Sequence, residues 1–165
     1  VKYMHGVGDS KNKAMKVWEK DGIVFSIYWY DSANHYCGYC RFPSRPTIEQ
    51  DYGGVLTFVP THGGLTYAHE SEDGSIVYGF DCGHCDDKGN ANLRDIDWLT
   101  AECERMAIAI QEAAKIEEGY LLAKDTKQKA AILDSYHEHL RNIGGGDFSV
   151  RDNFGAMIAV LSGHL

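Results

Sequence analysis

Short runs of β-forming residues dominate the first hundred positions of the chain. Residues 23–30 form such a run, and positions 23, 25, 27 and 29 share one face of the strand that it predicts. Further strands are predicted at residues 36–42, 55–59, 65–68 and 75–82, and a short helix is a candidate at residues 10–20. Because only a few residues connect these runs, antiparallel pairing is favoured over βαβ crossovers.

The hydrophobic period changes to that of a helix after residue 95. Apolar positions form one stripe between residues 95 and 116, while charged residues, Glu102 and Glu104 among them, are predicted on the other faces. Asp95 is a candidate N-cap. The stripe consists of Leu99, Cys103, Met106, Ile110 and Ala113.

Two more helices are predicted, at residues 120–140 and after Ser149. The chain is therefore predicted to be α+β, with a mostly antiparallel sheet in the N-terminal half followed by amphipathic helices. A candidate boundary near residues 117–119 separates an α+β core domain at residues 1–116 from a C-terminal helical extension at residues 117–165. Alone, the extension would leave apolar stripes in water, so we expect it to pack on the core or on another subunit of a homo-oligomer.

Composition and charge narrow the choice of partners. The 165 residues include 16 basic and 24 acidic side chains, a net charge of −8. This balance argues against binding to nucleic acid or to an anionic membrane, since either needs a basic surface. No apolar run approaches the roughly 18–20 residues of a membrane span, and the N-terminus lacks a signal-peptide pattern. We therefore expect a cytoplasmic protein.

Four cysteines occur in two C-x-x-C pairs, Cys37/Cys40 and Cys82/Cys85, with the local spacing of a tetrahedral zinc site. The first pair lies in a predicted strand, where its side chains would point to opposite faces. Buried thiols are the favoured interpretation, with a structural zinc site and a redox dithiol as alternatives. Cys103 is expected in the core.

Histidine and aspartate follow the predicted strands directly. His62 follows one strand, while Asp81 and His84 follow another, where a rigid sheet holds side chains that remain open to solvent. A carboxylate beside an imidazole can set its tautomer and raise its basicity, so the three residues are candidates for catalysis or metal binding. In the alternative interpretation, both histidines donate to loop carbonyls and Asp81 caps a turn. The ligand-binding set is predicted as His62, Gly63, Gly64, Thr66, Tyr67, Asp81 and His84.

Several of these motifs are similar to those of a known protein family. The chain resembles a family of small uncharacterised proteins that are common in bacteriophage and prophage genomes, over roughly residues 35–110. The matching motifs are Cys37-Gly38-Tyr39, residues 62–67, residues 79–84, and Arg94-Asp95 through Trp98 to Ala107. The resemblance implies a phage context. The family pattern has cysteine at the positions of Cys37 and Cys82 but not of Cys40 and Cys85, which counts against a four-cysteine zinc site.

A phage context favours an accessory function, with counter-defence as the first expectation. Our first hypothesis is a protein that binds and sequesters a nucleotide-derived signal, because glycine-rich loops permit close approach and aromatic rings stack on nucleobases. The alternative is a hydrolase of a cyclic or modified nucleotide, with His62 as general acid or base, Asp81 as its orienting partner and His84 as a phosphate or transition-state partner. A protein–protein inhibitor of a host factor is the second alternative.

Overall fold

The computed structural model describes residues 12–48 and 50–143. It confirms the α+β class: a five-stranded sheet comes first, two long helices follow, and each pair of neighbouring strands is antiparallel in the order β1-β2-β3-β5-β4. The strands are β1 (Asn12–Lys20), β2 (Ile23–Tyr30), β3 (His35–Phe42), β4 (Tyr67–Glu70) and β5 (Ile76–Asp81). The helices are α1 (Ile96–Leu122) and α2 (Thr126–Ile143), with 3₁₀ helices at Gly54–Phe58 and Ala91–Arg94.

The main core lies between α1 and one face of the sheet. Alternation in β2 buries Ile23, Phe25 and Ile27 on this face, as its period-two pattern predicts. The predicted apolar stripe of α1 is buried in full against it. Asp95 caps the helix as expected, because its Oδ1 accepts the N–H groups of Asp97 and Trp98 at 2.9 and 3.3 Å.

A smaller cluster covers the opposite face of the sheet. It consists of the buried residues Tyr28, Cys37, Tyr39 and Val77. The ring of Tyr67 packs edge-on against Tyr39 with the centroids 5.4 Å apart, so Tyr67 belongs to this face. The sheet therefore separates Tyr67 from the side chains that pack against α1.

The short helix expected at residues 10–20 is wrong over residues 12–20, which form strand β1. Asp21 and Gly22 adopt positive φ angles of 53° and 78°, the conformation of a two-residue hairpin turn. The chain therefore reverses after β1 and pairs it with β2. Lys16 and Trp18 reach from β1 to α1, where the indole N–H of Trp18 donates to Glu104 at 3.2 Å. The Asp-Gly pair is the sequence signal for this hairpin.

The strand predicted at residues 55–59 is also wrong, because this segment forms a 3₁₀ helix followed by its C-cap. The N–H groups of Leu56 and Val59 donate to carbonyls three residues earlier, at 3.1 and 3.2 Å. Val55, Leu56 and Val59 are all buried, so the apolar run reflects burial from several sides rather than strand pairing. The strand expected at residues 65–68 begins at Tyr67 and ends at Glu70.

Helix α1 is longer than expected and runs unbroken through residues 117–119, the candidate boundary. Glu117 is buried there and accepts the N–H of Ile48 at 2.8 Å. Helix α2 packs on α1, and its Ile132 lies against the main core. The helix predicted after Ser149 lies outside the described residues. Within the described part of the chain, neither long helix combines the length and hydrophobicity that crossing a membrane requires.

Candidate functional site

The loop that carries His62 turns tightly beneath α1. The N–H of Gly64 donates to the carbonyl of Thr61 at 2.9 Å, and Gly63 and Gly64 have φ angles of 65° and 81°, which favour glycine. The turn places the imidazole of His62 in the interior, where only 1 % of the side chain is exposed. Its ring lies 6.2 Å from that of Trp98 on α1. His62 is therefore held within the fold rather than presented to solvent.

A buried carboxylate on α1 anchors this loop. Oε1 of Glu102 accepts the backbone N–H of His62 at 2.8 Å and the hydroxyl of Thr61 at 3.3 Å. Its other oxygen forms an ion pair with Arg105, one turn along the helix. Only 1 % of the Glu102 side chain is exposed, so these contacts operate in an interior that screens charge weakly. Glu102 is thus a positioning residue for His62, and the expectation that it lies away from the buried face of the helix is wrong.

The loop after β5 positions the second histidine. The backbone N–H of His84 donates to Oδ2 of Asp87 at 2.9 Å, and the N–H of Asp87 donates back to the carbonyl of His84 at 3.0 Å. These reciprocal bonds close a turn that brings the two side chains to the same side. The His84 side chain is 32 % exposed and the Asp87 side chain 9 %. His84 is therefore the imidazole that a ligand from solvent can reach.

Asp87 joins the two histidines. Its Oδ1 lies 2.9 Å from Nε2 of His62, and its Oδ2 lies 3.1 Å from Nδ1 of His84. The imidazole rings are 5.4 Å apart, and one ligand atom from each residue lies within 4.8 Å of the other two. Burial by itself raises the pKa of Asp87, but hydrogen bonds from His62 and His84 outweigh it and hold the pKa below its ordinary value. We call these residues the His62–Asp87–His84 cluster.

Asp81 caps a turn and is not the main partner of a histidine that the catalytic hypothesis predicted. Its Oδ1 accepts the N–H of Gly83 at 2.9 Å, as in the alternative interpretation of a turn cap, and lies 3.8 Å from Nδ1 of His84. Asp87 makes the closer contact with His84, with 3.1 Å between its Oδ2 and Nδ1 of the imidazole. The carboxylate that orients His84 is therefore Asp87.

The other residues of the predicted ligand-binding set divide between the cluster and the sheet. Gly63 touches the cluster, because a Cβ built on it would overlap the imidazole ring of His84. Gly64 supplies the second positive φ of the turn. The N–H of Thr66 donates to the carbonyl of Gly79 at 2.9 Å and so leads into β4. Tyr67 lies on the face of the sheet away from α1.

A pocket of about 490 Å³ opens beside the cluster. His84 and Asp87 form one part of its wall, and the turn between β2 and β3 forms another. This volume is within the range of small-molecule sites. The turn contributes residues 33–35, and the remaining lining residues are Cys82, Gly83, residues 88–91, Leu93 and Arg94. The cluster therefore lies where a small ligand could reach it.

The four-cysteine zinc site is wrong. Cys37 belongs to the cluster on one face of the sheet and Cys40 to the main core on the other, as alternation along β3 requires. Cys82 is buried, whereas Cys85 is exposed. Among the described residues, which include all five cysteines, His62, His84 and Asp87 are the group whose ligand atoms converge. Cys103 lies in the core as expected.

We expect alkylation of the native protein at about pH 8 to modify one thiol per chain, that of Cys85. Burial raises the pKa of Cys37 to about 12 and raises those of Cys40 and Cys82 further, which suppresses the reactive thiolate. Intact mass after iodoacetamide treatment, with and without denaturant, measures this. All five thiols should react in denaturant. Protection of Cys85 in the native chain would contradict the placement.

Sequence reasoning missed Asp87 and Glu102, although both leave a signal. Asp87 stands three residues after His84, a spacing at which a carboxylate can cap the turn that begins at the histidine. Glu102 stands three residues after Leu99 and four before Met106, so helical spacing places it beside the buried stripe. An acidic residue at a buried helical position indicates a partner on the facing element.

Comparison with protein-family models, with curated proteins and with solved structures finds no match to this chain. The resemblance to phage proteins therefore stays a prediction, and the function proposed below is based on the geometry of the cluster.

Proposed function

We propose that the protein is a zinc-dependent hydrolase that cleaves a nucleotide-like phosphodiester in the pocket beside the cluster. The observation that carries this proposal is the convergence of ligand atoms from His62, His84 and Asp87 within 4.8 Å of one another, with His84 and Asp87 lining that pocket. Two imidazoles and one carboxylate are donors that zinc accepts, and three protein ligands leave a position open for water. The donor set thus fits a catalytic zinc ion.

The proposed chemistry needs only water as co-reactant. A zinc ion held by the cluster would supply a bound water whose pKa is lowered to about 7, and so a hydroxide at neutral pH. Hydrolysis would join the water oxygen to phosphorus and break the bond from phosphorus to the ester oxygen, the water's proton passing to solvent and the leaving oxygen taking a proton from solvent. His62 and Asp87 would hold the metal from the interior, and His84 would hold it from the pocket side.

Sequestration of the same ligand without turnover is the second candidate. The burial of His62 and Asp87, at 1 % and 9 % exposed, favours it, because a metal held mostly from inside would tie the two loops together as a structural ion. The pocket would then bind a ligand and release it unchanged. The expected phage context makes cyclic dinucleotides, acting in the cytoplasm of an infected bacterium, the first ligands to test for both candidates.

Native mass spectrometry of the zinc-reloaded chain tests the metal site. We expect one zinc ion per chain for the wild type and for Asp86→Ala, a control that removes the exposed neighbouring carboxylate. Asp87→Ala should lose the ion, and Asp87→Asn, which keeps an oxygen for the N–H of His84, should bind it more weakly. Equal zinc binding by Asp87→Ala and wild type would contradict the site, and preferential binding of Fe²⁺ would contradict zinc as its metal.

Hydrolysis of bis(p-nitrophenyl) phosphate and of a cyclic dinucleotide then separates the two candidate functions. A zinc hydrolase should release product, stop when a chelator removes the metal and resume when zinc is restored. A zinc-loaded chain that binds the cyclic dinucleotide and returns it with unchanged mass would favour sequestration. The native mass spectra of the zinc-reloaded chain also give the number of subunits, and a monomer would contradict the expected homo-oligomer.

A further inference from the structure

The pocket beside the cluster is more basic than the protein as a whole. The chain carries a net charge of −8, yet the side chains that line this pocket include Lys88 and Arg94 and a single carboxylate, that of Asp87. A zinc ion bound by the cluster would offset that carboxylate. The pocket would then present net positive charge to a ligand, which favours an anion.

Arg94 is held in place at this pocket. It ends the 3₁₀ helix Ala91–Arg94, and its guanidinium carbon lies 5.1 Å from the centroid of the Trp29 ring, within the range of a cation–π contact. Its Nη2 donates to the carbonyl of Asn34 at 3.1 Å. Two elements distant in sequence therefore fix one side of the guanidinium. A side chain fixed in advance loses less conformational entropy when a ligand binds.

These contacts do not neutralise the positive charge of Arg94. No carboxylate of the described residues forms an ion pair with it, in contrast to Arg41 and Arg105, which pair with Asp73 and Glu102. A guanidinium has five N–H donors in a planar fork, and one carbonyl and one aromatic face leave several of them for a ligand. This fork matches the spacing of two oxygens on a phosphate group.

We infer that Arg94 binds a phosphate group of the ligand, which makes phosphorylated small molecules the substrate class of the pocket. The inference rests on the proposed function, because it takes this pocket as the place where the ligand lies. Lys88, which is exposed at the same pocket, adds charge without a fixed geometry. Arg94 is then the residue that selects phosphate esters over uncharged nucleosides.

Calorimetric titration of the zinc-loaded full chain with inorganic phosphate tests the inference. We expect Arg94→Ala to weaken phosphate binding by about 10- to 100-fold, as loss of a charge-assisted pair of hydrogen bonds predicts. Arg94→Lys keeps the charge but loses the fork, so we expect a smaller loss. Arg41→Ala, in which the removed arginine pairs with Asp73, is the matched control and should bind phosphate like the wild type.

The zinc content of each variant distinguishes failure of the role inferred for Arg94 from failure of the proposed function. Unchanged phosphate affinity in Arg94→Ala, with one zinc ion still bound, would overturn the role of Arg94 and leave the metal site standing. A wild-type chain that takes up no zinc would contradict the proposed function directly. If Arg94→Ala proves unfolded by its urea transition, Arg94→Lys decides, and phosphate affinity equal to wild type would overturn the need for the fork.

Discussion

Glu102→Ala is expected to destabilise the protein by about 2–4 kcal/mol, because a buried N–H and a buried hydroxyl lose their charged acceptor, whereas the side chain of Arg105 is 34 % exposed and stays solvated. The variant removes the acceptor of the His62 N–H and of the Thr61 hydroxyl and takes the ion-pair partner from Arg105. Urea unfolding measures the loss, and thermal unfolding should shift by roughly 2–4 °C for each kcal/mol in a chain of this size. Because Glu102 positions His62, the affinity for zinc should fall as well.

Glu112→Ala is the matched control for this experiment. Glu112 also forms an ion pair three residues along α1, with Lys115 at 2.9 Å, but its side chain is 26 % exposed and that of Lys115 is 70 % exposed. We expect a change of no more than about 0.5 kcal/mol and unaltered zinc binding. Glu102→Gln keeps an oxygen for the His62 N–H and should lie between the two. Equal stability of the Glu102→Ala and Glu112→Ala variants would contradict the anchoring role.

Gly63→Ala is expected to remove zinc binding and to destabilise the fold. Its φ of 65° costs an alanine about 1–2 kcal/mol, and the added Cβ would overlap the imidazole of His84. The ring or the loop must then shift, which disturbs the convergence of the ligand atoms of the cluster. Native mass spectrometry gives the zinc content, and urea unfolding gives the free energy of unfolding.

The neighbouring glycine separates backbone strain from the contact with His84. Gly64 has a φ of 81°, but a Cβ built on it meets nothing within 4 Å. Gly64→Ala should therefore carry a similar backbone cost of about 1–2 kcal/mol while keeping its zinc ion. Loss of zinc from both variants would show that strain in the loop, and not the ring of His84, controls the site.

Much of the fold could be predicted because local patterns report burial. Alternation along β2 and the four-and-three spacing along α1 each repeat with the period of one element, so the buried face can be deduced from neighbours in sequence. The 3₁₀ helix at Gly54–Phe58 could not be predicted in this way, because an apolar run that is buried from several sides has no period. Strand β1 was not predicted, because this edge strand carries long polar side chains that lie over α1 and therefore lacks an alternating apolar pattern. Only the Asp21-Gly22 turn indicates the hairpin.

The candidate site shows the same division. Local patterns were enough to predict the α+β class, the buried stripe of α1 and the candidate role of His62 and His84, since histidines beside strand ends and glycines are visible locally. That Asp87, and not Asp81, lies between the two histidines follows from tertiary packing, because His62 and His84 come together through separate loops. The role of Glu102 likewise depends on a contact across 40 residues, and the separation of Cys37 from Cys40 depends on which elements cover each face of the sheet. Contacts between distant segments follow from the packing of whole elements, which no local period encodes.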